Sequence, residues 1–444
     1  MTIRSLGVLY FLMSWIYAGE GGVTGPRMSY LANKEVKIGM DLDRGGAVTW
    51  LSSRLHPSNI INSHDLGRQI QMSHYSGPVP FTPEGKELKA EWRGIGWNPI
   101  QTGDVFKNQS KVLDHRNDGK ELYIKCVPMH WPLNNVPGEC IFETWTTLDG
   151  PRVNMRFRFS NNRPDKTWYP ARAQELPAIY TTSEFQRLMS YTGNQPYTDG
   201  ALTHIINDYK KPWPWTRSLC TERWAALVND ADYGLGVYNN ACIQFDGGLY
   251  GVGGSTDPLA GPTAYVAPIM EEIIDHNIIY DYQTKIMLGN LTEMRTYFNS
   301  LASRQLPLWI FSRDRQHWII ERGQDAGFPL GDQWVINGLT KQTRLMSPLV
   351  AWQATDTPII TLHAAWTGTS GALRLRWKSH GQSEWIDEQS LSIPVIGDGV
   401  ARPLRVSLHD QFTYRGLLIG LAIDLPPDPQ GSFSLLSVRV GEKK

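Results

Sequence analysis

Short apolar runs separated by clusters of glycine, proline, asparagine and aspartate fill the chain from about residue 36 to residue 289. Runs of this length and spacing are typical of β-strands and turns, and a helical period is rare among them. The clearest example is residues 221–238, where two apolar runs flank the turn residues 229–232 and predict a β-hairpin. With 41 Gly and 28 Pro, the chain favours many short strands over long helices. An all-β fold is therefore expected.

The chain is long enough for two domains, and its patterns divide it near residues 308–338. The best helical candidate, residues 291–304, is amphipathic and is followed by Pro307. Further strand signals follow residue 338, at residues 359–366, 372–377, 404–408 and 433–440. We expect a large β domain at residues 25–308 and a smaller β-sandwich at residues 309–444.

The charge balance bears on the kind of partner. Lys plus Arg and Asp plus Glu are equal at 43 each, and no dense basic run is present. A chain that follows phosphates normally carries a basic excess, so nucleic acid is not an expected partner. In contrast, 17 Trp and 18 Tyr favour aromatic platforms on which ligands stack.

The N-terminal residues 1–18 resemble a signal peptide. Arg4 precedes an apolar run over residues 6–18 that is too short to span a bilayer, and small residues follow. This pattern predicts a secreted or periplasmic protein, and a buried N-terminal strand is the alternative. No later run is long and apolar enough to cross a membrane.

Export would permit disulfides, and the four cysteines are placed symmetrically about two predicted turns. Cys126 and Cys140 flank residues 131–134, whereas Cys220 and Cys242 flank residues 230–232. We predict the pairs Cys126 with Cys140 and Cys220 with Cys242. Four buried free thiols are the alternative.

Two glutamates are the leading catalytic candidates. Strand alternation places Glu222 on the same face as Trp224, and a carboxyl group beside an indole suits a sugar site. The alternative is a structural carboxylate paired with a nearby basic residue. Glu175 opens an apolar strand just before Pro177 and is the second acid candidate, or else a structural hydrogen-bond acceptor.

Polar faces supply the other candidates. Alternation over residues 69–75 places Gln69, Gln71 and Tyr75 on one face, where they can contact sugar hydroxyl groups or stack. Residues 271–282 read as one strand that carries Asp275 and His276, and a histidine there can transfer protons or can simply belong to the core. Further binding candidates, chosen for residue type and strand position, are Arg68, Trp97, Trp224, Tyr265 and Tyr282.

No cofactor and no metal site are predicted, although a structural calcium ion could bind near Asp398 or Asp424 in the C-terminal part. The spacing of these aspartates is not diagnostic.

Residues 45–51, 59–62 and 65–68 resemble the opening of the galactose-mutarotase-like β-supersandwich. This resemblance implies a fold that epimerases, glycoside hydrolases and modules of polysaccharide lyases use. The C-terminal part, with Trp377 and Trp385, is similar to the jelly-roll, carbohydrate-binding modules of secreted carbohydrate enzymes. A fold alone does not fix a reaction.

The expected function is that of a secreted glycoside hydrolase acting on a polysaccharide or oligosaccharide. Glu222 and Glu175 would form the acid and the base or nucleophile, with Asp275 and His276 as alternates. One alternative is a polysaccharide lyase that acts on a uronate-containing glycan with a Tyr or His base. The other is a non-catalytic glycan-binding protein, which needs aromatic platforms but no convergent pair of carboxyl groups.

Overall fold

The structure is a computed structural model that describes residues 27–207, 215–302, 305–339 and 343–441. The first part of the chain contains β1 (Met28–Ala32), β2 (Val36–Asp41), β3 (Ala47–Ser53), β4 (Ile70–Ser73), β5 (Pro99–Ile100), β6 (Lys111–Asn117), β7 (Glu121–Val127), β8 (Met129–His130), β9 (Cys140–Asp149), β10 (Arg152–Asn161), β11 (Arg172–Thr182), β12 (Arg187–Ser190), β13 (Thr203–Ile205), β14 (Thr216–Leu219), β15 (Trp224–Val228), β16 (Tyr233–Tyr238), β17 (Gln244–Tyr250), β18 (Thr263–Glu272), β19 (Ile279–Asn290) and the helix α1 (Leu291–Ser300). The second part contains β20 (Leu308–Ile310), β21 (Ile319–Glu321), β22 (Trp334–Leu339), β23 (Arg344–Met346), β24 (Trp352–Gln353), β25 (Ile359–Thr367), β26 (Gly371–Ser379), β27 (Ser390–Val395), β28 (Arg402–Ser407), β29 (Leu417–Asp424) and β30 (Asp428–Val440). Two short 3-10 helices lie at Ala90–Ile95 and Ala354–Asp356.

These strands form four antiparallel sheets, which confirms the predicted all-β class. The first part holds a ten-stranded sheet, in the order β1-β2-β3-β4-β11-β18-β17-β14 with β5 and β8 attached, and a nine-stranded sheet, in the order β13-β12-β15-β16-β19-β10-β9-β7-β6. The second part holds a five-stranded and a six-stranded sheet. Because sheets bury side chains between facing layers, each part can form its own core.

The buried apolar side chains fall into two large clusters. One lies within residues 31–288 and fills the space between the two large sheets. The other consists of residues from 309–440 together with Ile273 from the first part. An ion cluster also joins the two parts, since Arg315 lies 2.5 Å from Asp275 and 2.6 Å from Asp325. The predicted division into residues 25–308 and 309–444 stays a prediction.

The predicted hairpin is present as β15 and β16. The side chain of Asn229 accepts hydrogen bonds from the backbone N–H groups of Ala231 and Tyr233 at 3.0 and 3.2 Å, which closes the turn. The predicted helix is also present. It begins at Leu291, behind a capping box formed by Asn290 and Glu293, and ends at Ser300. Residues 303–304 of the predicted helix lie outside the described residues.

The predicted signal peptide, residues 1–18, likewise lies outside the described residues. Within the described ranges, no helix has the length and apolar character that crossing a membrane would require.

The predicted disulfides are wrong, because all four cysteines are buried free thiols. Strand register gives the reason. Cys126 lies opposite Phe142, so Cys140 occupies a diagonal position, and diagonal neighbours are roughly 7–8 Å apart. The N–H group of Cys220 donates to the carbonyl of Ile243 at 2.6 Å, which places Ile243 opposite Cys220. Cys242 is therefore displaced by one residue from the position opposite Cys220, and both remain free thiols within the same buried cluster.

We expect the native protein to resist thiol reagents. Burial raises the pKa of all four cysteines, that of Cys220 to about 12, so little reactive thiolate forms near neutral pH. Titration with a thiol reagent should detect almost no thiol in the native protein and four after denaturation without reductant. Fewer than four thiols in the denatured protein would contradict the structure.

Candidate functional site

A cleft lies on the face of the ten-stranded sheet that does not contact the main core. It has two lobes that share Tyr75, Trp92, Ile95 and Glu175. The first, here called the aromatic lobe, has a volume of about 340 Å³. The second, the charged lobe, has a volume of about 420 Å³. Glu175 thus lies where the two lobes meet.

A β-bulge in β11 sets this arrangement. The register runs from Glu175 opposite Ser73 to Ala178 opposite Gln71, so β11 advances three residues where β4 advances two. Side chains alternate along a regular strand, and residues 175 and 180 would then point to opposite faces. With the extra residue, Glu175 and Tyr180 both line the cleft.

Glu175 is held by two tyrosines. The Tyr75 hydroxyl donates to Oε2 of Glu175 at 2.8 Å, and the Tyr265 hydroxyl donates to Oε1. Ser73 in turn donates to the Tyr75 oxygen at 3.0 Å. Burial raises the pKa of Glu175, and the hydrogen bonds from the tyrosines oppose this rise without cancelling it. Glu175 therefore keeps a transferable proton to a higher pH than an ordinary glutamate.

Aromatic rings wall the aromatic lobe. Tyr180 and Trp215 line it with ring centroids 6.1 Å apart, and each packs against the buried Tyr265 ring at 4.7 Å. Trp92 and Trp131 form a second pair, with centroids 5.7 Å apart and ring planes nearly perpendicular. Such rings offer apolar faces on which a pyranose can stack.

Arginines and carboxylates line the charged lobe. Arg217 on β14 binds Asp246 on β17 through two hydrogen bonds of 2.8 and 2.9 Å, and it lies 3.5 Å from Glu271. Arg172 donates to the backbone carbonyls of Ser76 and Ile95 at 2.8 and 2.7 Å. The last two bonds fix the loop that carries Ile95 over the lobe.

Some of the predicted residues do meet in this cleft. Glu175 and Tyr75 line both lobes, and Tyr265 lines the charged lobe. Arg68 and Gln71 line the aromatic lobe. The Gln71 side-chain amide donates to the backbone carbonyls of residues 66 and 68 and accepts hydrogen bonds from Thr102. Gln71 therefore fixes the loop before β4.

Gln69 does not belong to the predicted polar face. Its φ of 80° interrupts the strand, and β4 begins only at Ile70. The Gln69 side chain is buried and donates to the carbonyl of Asp65 at 2.6 Å. The same turn moves Arg68 to the cleft side, where it donates to the carbonyl of Gly261 at 2.7 Å.

Glu222 does not share a cleft with Glu175. It lies in the turn before β15, its side chain has no exposed surface, and Arg295 of α1 binds it through contacts of 2.8 and 3.1 Å. The Trp224 indole N–H donates to Glu222 at 3.2 Å, and Trp224 packs beneath α1. The predicted pairing of an acid with an indole is thus present, but it forms a closed ion-pair site inside the protein.

Asp275 and His276 also lie away from the cleft. The strand predicted over residues 271–282 is interrupted, because β18 ends at Glu272, residues 276–277 form a turn and β19 begins at Ile279. Asp275 is buried against Arg315 at the junction of the two parts. His276 is partly exposed in the turn.

The remaining aromatic candidates belong to the interior. Trp97 has no exposed surface and donates from its indole N–H to Glu139 at 3.2 Å. Tyr282 packs between the large sheets, where its ring stacks on Phe157 with centroids 4.7 Å apart. Neither side chain can stack with a ligand in the cleft.

Sequence reasoning missed Asp246, Arg217 and most of the aromatic wall. Asp246 and Arg217 lie on strands that are adjacent only in the folded sheet, so no local pattern joins them. Trp92 belongs to a 3-10 helix and Trp131 lies outside the strands, where alternation does not apply.

The aspartates considered for calcium are bound by arginines. Asp398 pairs with Arg402, and Asp424 lies between Arg344 and Arg376 at 2.5 and 2.6 Å. Among the residues that the structure describes, no group of three or more His, Cys, Asp or Glu side chains is arranged to hold a metal ion.

No protein-family model and no curated protein matches the chain. Among solved structures, it is similar to a galactose mutarotase-like protein from Lactobacillus casei, with 10% sequence identity, a TM-score of 0.35, and coverage of 59% of this chain and 100% of that chain. A galactose mutarotase related enzyme from Lactobacillus acidophilus has 8% identity and a TM-score of 0.37, with coverage of 60% and 98%. A low affinity xylan binding module from Roseburia intestinalis has 12% identity and a TM-score of 0.22, with coverage of 31% and 96%.

The galactose mutarotase-like group is the one that residues 45–68 resemble.

We expect Glu222→Gln to destabilise the fold, because it leaves the Arg295 guanidinium without its carboxylate in a closed site. Breaking such a buried pair costs about 3–5 kcal/mol. Urea unfolding followed by fluorescence should show the loss, whereas the exposed Glu91→Gln should behave as wild type. The double variant Glu222→Gln with Arg295→Met should recover part of the stability. An unchanged unfolding midpoint in Glu222→Gln would contradict this role.

Proposed function

We propose that the cleft binds a glycan and that the protein hydrolyses its glycosidic bonds, with Glu175 as the general acid. The observation that carries the proposal is the position of Glu175, a partly buried carboxyl group between an aromatic lobe and a charged lobe. Aromatic walls suit the apolar faces of pyranoses, and charged groups suit their hydroxyl groups. The proposal includes export from the cytoplasm, which rests on the pattern of residues 1–18.

Asp246 is the second carboxyl group of this proposal, in place of Glu222. Glycoside hydrolysis commonly uses one protonated carboxylic acid and one carboxylate. Burial favours the protonated form of Glu175, while Asp246 accepts two hydrogen bonds from the Arg217 guanidinium as a carboxylate does. These two environments suit the two roles, an acid at Glu175 and a carboxylate at Asp246.

The cleft supports elimination less well. A lyase of the expected kind would need tyrosine or histidine as a base, and the tyrosines nearest Glu175 are Tyr75 and Tyr265. Burial and the Glu175 carboxyl raise the pKa of both tyrosines well above the ordinary value, which disfavours phenolate. In addition, Arg217 already binds Asp246 and is not free to neutralise a uronate.

The test compares wild type with Glu175→Gln and Asp246→Asn on a panel of soluble polysaccharides. Reducing-sugar release reports hydrolysis, ultraviolet absorbance reports the unsaturated product of elimination, and calorimetry reports binding. We expect Glu175→Gln to lower turnover by about 10²-fold or more while binding persists, because the amide cannot donate the proton. Asp246→Asn should also lower turnover.

Three outcomes would contradict the proposal in different ways. Near-full activity of Glu175→Gln would remove its role as an acid. Unsaturated products would indicate a lyase. Binding without any cleavage by wild type would favour a glycan-binding protein, and aromatic variants such as Trp215→Ala should then weaken that binding.

The pH dependence gives an independent prediction. If Glu175 donates a proton, kcat/KM falls as pH rises through its pKa. The Tyr265 hydroxyl lowers that pKa by donating to the carboxylate, so Tyr265→Phe should raise it and move the alkaline limb to higher pH. Tyr180→Phe is the matched control, since Tyr180 lines the same cleft but is not a donor to Glu175. A limb that moves to lower pH in Tyr265→Phe would contradict this assignment.

A further inference from the structure

The cleft continues beyond its charged lobe toward the second part of the chain. A third cavity, of about 220 Å³, lies between the two parts, and Ile269 borders both this cavity and the charged lobe. On β17, Asp246 lines the charged lobe and Gln244 lines the third cavity. Glu271 lies in the third cavity and contacts Arg217 of the charged lobe at 3.5 Å.

One strand runs past all three spaces. Tyr265, Ala267 and Ile269 alternate on the cleft face of β18 and form one apolar cluster, and Glu271 follows them in the same alternation. From Tyr265 to Glu271 the strand rises about 20 Å. The path is therefore longer than a single sugar unit.

The far wall of the third cavity comes from the second part of the chain. Trp385 and Lys378 line it, and the Lys378 ammonium lies 5.5 Å from the centre of the Trp385 ring. Lys378 also donates to the carbonyl of Ser383 at 2.7 Å, which fixes the loop that carries Trp385. The Trp385 side chain is partly exposed, in contrast to Trp377, which has no exposed surface.

We infer that Trp385 and Lys378 form a distal subsite for an extended glycan, so that the second part of the chain helps to bind the same substrate as the Glu175 cleft. The inference rests on the proposed function of that cleft. The indole ring would stack on a sugar several units away from Glu175, and the ammonium group would donate to its hydroxyl groups. The ligand class is a linear polysaccharide or a long oligosaccharide, and a mono- or disaccharide would not reach the subsite.

Calorimetry can test this inference with oligosaccharides prepared from the soluble polysaccharide that wild type binds best. We expect Trp385→Ala to weaken binding of the longest oligosaccharide by about tenfold and to leave the affinity for the disaccharide unchanged. Phe412→Ala is the matched control, since Phe412 is an exposed aromatic residue of the second part that does not line the cavity. It should bind both ligands as wild type does.

The results separate this inference from the proposed function. Equal affinity of Trp385→Ala and wild type for every length would overturn the distal subsite and leave the Glu175 cleft intact. An equal loss at every length would also overturn it, because Trp385 would then support the fold around the cleft. If Trp215→Ala in the aromatic lobe leaves the disaccharide affinity unchanged, the cleft itself is not the binding site, and both proposals fail.

Discussion

The extra residue in β11 is the constraint on which the cleft depends. A regular strand would turn Glu175 and Tyr180 to opposite faces, and the carboxyl group would then lie without its aromatic neighbours. The bulge places Glu175 and Tyr180 on one face. There Tyr75 and Tyr265, which belong to neighbouring segments of the sheet, donate hydrogen bonds to Glu175. The place of Glu175 between the two lobes depends on that local change in register.

Local patterns predicted the architecture better than the site. Turn residues and alternating apolar residues are local signals, so the hairpin at residues 221–238 and the start of α1 at Leu291 could be predicted. Asp246 and Arg217 are 29 residues apart and meet only through the pairing of β14 with β17. Strand register also decides whether the cysteines can form disulfides, because symmetry about a turn does not by itself place two residues directly opposite each other.

Glu222 and Glu175 show why a motif alone does not define a catalytic group. Each accepts hydrogen bonds from aromatic side chains, an indole N–H for Glu222 and phenolic hydroxyl groups for Glu175. The difference comes from a distant residue, because α1 brings Arg295 to Glu222 and closes that site with an ion pair. Among the described residues no such cation pairs with Glu175, which opens into a cleft. Removing one partner of a buried ion pair destabilises a fold, while a buried acid with a raised pKa can transfer a proton.

The central claim is that a glycan binds across the two lobes with a glycosidic bond at Glu175. A crystal structure of Glu175→Gln with a bound oligosaccharide tests it most directly. The account predicts sugar units on both sides of residue 175, a ring stacked on the wall formed by Tyr180 and Trp215, and a glycosidic oxygen within hydrogen-bonding distance of the substituted side chain. An oligosaccharide bound elsewhere, with both lobes empty, would contradict it.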